Sequence, residues 1–317
     1  MPEPAHFDWI PFYTELAHTL LKYKADRTDL VAKIPSIYEK AGIKMPTLDK
    51  DGHLIDIDPF TFFGLFNKHF TSENRIALLT AISQLFHIAA PVPTSFDSIP
   101  VLDPRGAVFY EFAPKRAEND IPDLWKLFEA ALNYAQNSTL DNRTIFSKWF
   151  DTCISKKYIG NSKLTMGLYW IAPDTFLNLD SRNEWFIYES GKVPQEIVQS
   201  LPEISKKVTA EDYFEIIDKI TAYLQSPSTN LHDFKDLSYA AWTYSQQIND
   251  QKKAKRDSAG AAVADNDIAT VHYWLYSPGS GAEYWDEFYQ SGIMAIGWDE
   301  IGNLSDFTSK TGMKKAM

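Results

Sequence analysis

An α+β fold is predicted for this chain of 317 residues. The expected architecture is a large, mainly helical N-terminal domain with short strands and hairpins, followed by the start of a small β-barrel. Three observations predict it. Apolar residues recur at three- and four-residue spacing through most of residues 1–248. Short β-rich runs interrupt them, AVFYEF at 107–112 above all. The composition then changes: residues 249–268 carry no aromatic side chain and are rich in Lys, Asp, Ala and Ser, the signature of a flexible linker. Aromatics return at once in 269–317, where VHYWLY (271–276), a polar turn, AEYWDEFYQ (282–290) and residues 293–298 read as strand, turn, short helix and strand.

The elements follow in order. From Asp8 to about Lys24, the residues Ile10, Tyr13, Ala17, Leu20 and Leu21 share one face of a helix. Thr28 or Asp29 starts a second helix through Val31, Ile34 and Tyr38, which Gly42 stops and Pro35 kinks or delays. PTLDKDGHLIDIDP, 46–59, alternates around Asp51–Gly52 and predicts a hairpin. Thr71 opens a helix bearing Ile76, Leu79, Ile82 and Phe86. Beyond AVFYEF, Asp120 caps a helix with Leu124, Leu127, Phe128 and Ala131 on its buried side, and a further helix lies near 143–157. TMGLYWIAP, 165–173, reads as a buried strand or turn. Thr209 to Asp212 resembles a capping box ahead of Tyr213, Ile216, Ile217, Ile220 and Leu224. A last helix runs from about Leu231 to Ile248.

Composition limits the function. The chain is 44% hydrophobic and 14% aromatic, as a folded globule is, and no window approaches the ~20 apolar residues of a membrane span. The N-terminus lacks the basic and apolar regions of a signal peptide, and the single cysteine, Cys153, forms no internal disulfide; both suit the cytoplasm. A net charge of −11 argues against coating a duplex, because affinity for DNA comes mainly from Lys and Arg neutralising phosphates. Any contact with DNA has to come from a local site.

No catalytic motif stands out. There is no G-x-x-x-x-G-K-[ST] loop, no paired His or Cys with metal-ligand spacing and no G-x-S-x-G elbow. Counted from Asp49, the calcium-loop positions that need Gly and Glu hold Leu54 and Phe60. Glu189-Ser190-Gly191-Lys192 has one residue too many for a D…[DE]-x-K nuclease set. No metal ligand is expected in this chain. Arg182 and Asn183, in LDSRNEWF, have two readings: a helix start capped by Asp180 or Ser181, or a pair reaching a phosphate or base edge. Trp274, Tyr276 and Trp298 are equally the core of a barrel or the walls of a slot for a flat base, with Asp299 accepting an exocyclic amine. Stacking there is worth about 1–3 kcal/mol per base without any positive charge.

YWLYSPG and AEYWDEFYQSGIMAIGWDEIGNLSDF resemble the start of the EVE-like, PUA-related barrel in AAA+ proteins of the methylcytosine-specific, McrB-type restriction family. HFDWIPFYTELA, GIKMPTLDKDG, IDPFTFFGLFNK, TSENRIALL, LTMGLYWI and FLNLDSRNEWFI resemble the N-terminal region of the same proteins. The resemblance implies a DNA-recognition portion that reads a modified base through Trp274, Tyr276, Trp298 and Asp299. It also implies a ring-forming motor using GTP or ATP with magnesium, through which the protein oligomerises, and a separate nuclease subunit. Neither is encoded in these 317 residues, and the barrel is expected to stop half-way. No cofactor is expected in this chain itself. Two other functions are carried forward: a metal-dependent nuclease domain of a defence system, and a scaffold that binds a protein partner or a phage component.

Overall fold

The structure is a computed structural model, and it describes residues 7–68, 70–103, 107–262 and 285–291. The chain divides into two compact units, residues 1–255 and 256–317. The first is built from helices: α1 Trp9–Leu20, α2 Thr28–Ala41, α3 Pro59–Gly64, α4 Ser72–Phe86, α5 Asp120–Gln136 and α6 Leu140–Ile154. They continue with α7 Asn161–Ile171, α8 Ser181–Tyr188, α9 Gln195–Ser200 and α10 Ala210–Leu224; α11, Phe234–Ala262, begins in this unit and runs past residue 255. In the second unit the described residues include α12, Trp285–Ser291, which presents Trp285 and Tyr289 stacked on one exposed face. Among the described residues no helix is long and apolar enough to cross a membrane.

The predicted α+β class is corrected by these coordinates. Among the described residues there is no sheet; the single ladder contact is an isolated parallel bridge between Lys68 and Leu102. AVFYEF is not a strand but part of the irregular connection between α4 and α5, residues 87–119. Its aromatics are there for burial, Phe109 and Tyr110 being nearly inaccessible, and its backbone bonds to side chains instead of to a neighbouring strand. TMGLYWIAP lies mostly in α7, where every residue from Leu164 to Ile171 is buried. A helix enclosed on all sides shows no polar face, so its periodicity cannot be told from that of a buried strand. The expected hairpin at 46–59 is a 3₁₀ turn, Lys50–Gly52, in which Gly52 takes φ 75° and the Asp49 carboxylate accepts from Lys50 N–H. The barrel strands expected beyond residue 269 lie outside the described residues.

Other elements follow their sequence logic. Thr71, Thr139 and Thr209 cap α4, α6 and α10 by accepting from the backbone three residues on. α2 runs through Pro35 and ends at Gly42 in the left-handed region. Asp120 is the first residue of α5 and not its cap. Among the described packing pairs, α5 lies along α6, α2 along α4, and α1 against α7.

The core is aromatic, and the polar tips of its rings hold the loops. Trp125 Nε1 donates to Ile57 O at 2.9 Å, Trp170 Nε1 to Pro100 O at 2.9 Å and Tyr213 OH to Leu177 O at 2.7 Å. Each bond serves a loop carbonyl that would otherwise be buried without a partner.

Candidate functional site

A loop of thirty-odd residues inside a compact helical domain is long enough to suggest a role beyond linking two helices. Its 107–116 portion is pinned from three directions. Asp58 caps α3, accepting from Phe60 N–H at 2.9 Å and Thr61 N–H at 3.0 Å. Its second oxygen accepts from the Thr61 hydroxyl, and that hydroxyl oxygen in turn accepts from Phe109 N–H at 2.8 Å. From α7, Lys163 Nζ donates to Val108 O at 2.8 Å and to Tyr158 O at 3.1 Å. From the turn after Leu48, the Asp49 carboxylate accepts from Ala113 N–H at 2.9 Å and pairs with Arg116 at 2.7 Å. Arg116 lies over the Tyr110 ring, whose hydroxyl donates to Leu48 O at 3.0 Å. The loop also approaches α3 closely: a Cβ on Gly64 would sit 2.6 Å from Ala107 O.

The outer face of this loop is one wall of an open cleft of about 660 Å³. That volume is in the usual range for small-molecule sites, ~300–1,000 Å³. Lys50, Lys115 and Lys163 line it together with Tyr110, Tyr158 and Glu111. Tyr158 is 44% exposed and donates to Glu111 Oε1 at 2.7 Å. Beyond that hydrogen bond a smaller cavity of about 190 Å³ is bordered by Lys156, which Asp120 and Asp123 hold at 3.1 and 3.0 Å. Lys50 and Lys115, both exposed, against Glu111 make the large cleft locally cationic on a chain whose net charge is −11, while the Lys163 ammonium is taken up by Val108 O and Tyr158 O.

The buried charges behind the wall are tuned by their surroundings. Burial pushes the Asp58 carboxyl up to about 6, although its hydrogen bonds from Thr61 and Phe60 pull the other way. Burial also brings Lys163 down to about 8, with Asp58 opposing. For Asp49, burial is outweighed by Ala113 N–H and Arg116, and the carboxyl stays below its ordinary range. The arrangement can therefore hold a flat, anionic ligand: the exposed Tyr158 ring on its wall, the ammonium groups of Lys50 and Lys115 at its rim, and a pinned loop between them.

The residues singled out in the sequence fall elsewhere. Asp180 caps α8, accepting from Arg182 N–H at 3.0 Å and Asn183 N–H at 2.8 Å. Asn183 is 2% exposed; its amide donates to Asn178 O and to Ser238 Oγ, both at 2.9 Å, and so ties α8 to α11. Its side chain is committed to the core, and Arg182 beside it is partly buried; neither lines the cleft. Trp274, Tyr276, Trp298 and Asp299 lie outside the described residues. Cys153 is buried, and burial raises its thiol well above the ordinary value, which leaves no nucleophile there. Among the described residues no group of three His, Cys, Asp or Glu side chains could hold a metal ion.

One comparison places the chain. It belongs to the DUF8425 family, a domain of unknown function. The family model matches residues 9–244, which takes in α1 to α10, most of the apolar part of α11, and the whole cleft. No curated protein and no solved structure matches the chain.

Proposed function

We propose that the DUF8425 domain is a DNA-recognition unit that takes one nucleotide of a strand, with a modified base as the discriminating feature, into the cleft beside Tyr158. The single observation that carries this reading is the local one: two exposed lysines, Lys50 and Lys115, and the exposed ring of Tyr158 around an open cleft on an otherwise acidic protein. Lysines at the rim meet phosphates, and the ring meets the base, without any need for a basic surface elsewhere. The reading agrees with the resemblance to the N-terminal region of McrB-type restriction proteins. In that setting the chain works in the cytoplasm ahead of a GTP- or ATP-hydrolysing ring and a separate nuclease. The nuclease alternative has no observation in its favour within this domain.

Fluorescence anisotropy of the full chain with single-stranded, plain duplex and cytosine-modified duplex oligonucleotides tests the proposal. Lys50→Ala/Lys115→Ala and Tyr158→Ala are each expected to weaken binding at least tenfold without changing the far-UV circular dichroism. With two or three phosphate contacts the log–log salt slope is expected near −2. Binding that these variants leave intact, or capture of a protein with no affinity for any of the three oligonucleotides, would replace this reading with the scaffold one.

A further inference from the structure

The same 87–119 connection passes a second unusual feature at its other end, next to the Lys68–Leu102 bridge. Lys68 and Arg75 are 7% and 6% exposed, and no acidic side chain acts on either among the described residues. Elsewhere in this domain enclosed charges are ion-paired, Asp49 with Arg116 and Lys156 with Asp120 and Asp123, or hydrogen-bonded, as Asp58 is by Thr61 and Phe60. A buried charge without a counter-ion is costly, and it persists only where something else offsets it.

The pair is placed for a common ligand. Arg75 Nη2 donates to Lys68 O at 3.3 Å, while its Nε has no acceptor. The guanidinium lies 4.7 Å from the centre of the Phe96 ring, and Lys68 Nζ lies 4.9 Å from that of Phe70. Asn67, adjacent in the chain, uses its carbonyl oxygen to accept from Tyr13 OH at 2.8 Å and leaves its buried amide nitrogen without an acceptor. Ser98, two residues past Phe96, also has a buried hydroxyl without a partner, and it sits at φ 62°, in the left-handed region. These groups share one deficit. Arg75 Nε, the Asn67 amide nitrogen and the Ser98 hydroxyl can each donate, and these three atoms have no acceptor; a guanidinium and an amide nitrogen cannot accept at all.

We propose that Lys68, Arg75, Asn67 and Ser98 form an oxyanion site that takes a phosphate group. Such a group brings several acceptor oxygens and two negative charges at most, matching two cations and a surplus of donors. Phe70 and Phe96 are only partly buried, so they are the side chains an entering anion displaces. The site is separate from the cleft and does not depend on what the cleft binds.

Calorimetric titration of the full chain in a phosphate-free buffer tests it, with inorganic phosphate in one arm and a 5′-phosphorylated oligonucleotide in the other. Wild type is expected to bind at Lys68 in at least one arm; Lys68-dependent binding of inorganic phosphate assigns a free anion, and Lys68-dependent binding of the oligonucleotide alone assigns a nucleic-acid phosphate. Lys68→Met should weaken that binding at least tenfold, and Lys68→Arg should retain most of it. Lys68→Met should weaken the inorganic phosphate arm by the same factor in the Lys50→Ala/Lys115→Ala background as in wild type, which separates this site from the cleft. If Lys68→Met fails to fold, the side-chain ammonium resonance of Lys68 in the wild type serves instead, and bound phosphate should raise the pH at which it titrates. Wild type silent in both arms, Lys68→Met binding as wild type does, or a Lys68 titration indifferent to phosphate would each overturn the proposal.

Discussion

Replacing Thr61 by Val tests whether the cleft wall is held by buried polar bonds and not by shape alone. Valine has nearly the same volume, so packing is conserved while the hydroxyl is lost. Phe109 N–H, at a residue 1% exposed, then has no acceptor, and Asp58 loses one of its three hydrogen bonds. A buried donor left unmade costs about 1–3 kcal/mol, and a hydrogen bond to a charged group is worth about 1.5–3 kcal/mol. Both belong to one network, so they do not simply add, and a loss of about 3 kcal/mol is expected. For a domain of this size that corresponds to a fall in melting temperature of roughly 6–12 °C. Urea unfolding of wild type and Thr61→Val measures it, with the denaturant slope expected to stay the same. Thr61 also holds the acidity of Asp58 up, so the variant should titrate Asp58 at higher pH. A loss below about 1 kcal/mol would mean that Phe109 N–H finds another partner, and the account of the pinned loop would fail.

Three further outcomes follow from the same geometry. Because burial raises the folded Asp58 carboxyl to about 6 from an ordinary 3.8, the native state keeps a proton that the unfolded chain releases. Its contribution to stability is therefore full below pH 4 and is lost as pH rises to 6, by about 3 kcal/mol, and Asp58→Asn should flatten urea stability across that window. Gly64→Ala places a methyl group against Ala107 O, a backbone atom that moves only with the loop; about 1–3 kcal/mol of destabilisation is expected, together with weaker oligonucleotide binding by anisotropy. A variant as stable as wild type would show that the loop yields freely. Asn183→Ala should cost about 1–3 kcal/mol in thermal unfolding, by leaving Asn178 O and Ser238 without their donor. It should not change oligonucleotide affinity, and a selective loss of binding would return Asn183 to the functional surface.

The helices at the N-terminus and at Thr71 and Thr209 were readable because one face meets water and the other the core, so period and caps agree. α7 was not readable, since Leu164 to Ile171 are enclosed on every side. AVFYEF has the composition of a strand because aromatic and β-branched residues suit any buried extended segment; a strand also needs a partner, which composition does not reveal. The cleft was missed for a different reason. Lys50, Tyr110 and Lys163 come from three separated segments, and only the bonds through Asp49, Thr61 and Val108 O bring them to one place. DKDG, AVFYEF and NSKL were all visible, but nothing in their spacing says that they meet. Asn183 illustrates the converse: a polar residue between aromatic runs looked available, whereas it fills a buried hydrogen-bonding need.

A cationic cleft on an acidic protein has consequences for selectivity. At physiological ionic strength the screening length is about 8 Å, so the lysines at the rim act mainly on a ligand already in the cleft. The carboxylates spread over the rest of the chain act on anything long enough to lie across several screening lengths, as a duplex does. An extended polyanion therefore gains from Lys50 and Lys115 and loses against the remaining surface, whereas one inserted nucleotide gains without the loss. Added salt weakens both effects. The salt slope for the inserted nucleotide should accordingly stay near the value for the few contacts made. For a plain duplex it should be shallower still, or reversed, because screening relieves repulsion as fast as it removes attraction. A steep slope for plain duplex, of the kind given by six or more phosphate contacts, would mean that a basic surface exists apart from the cleft.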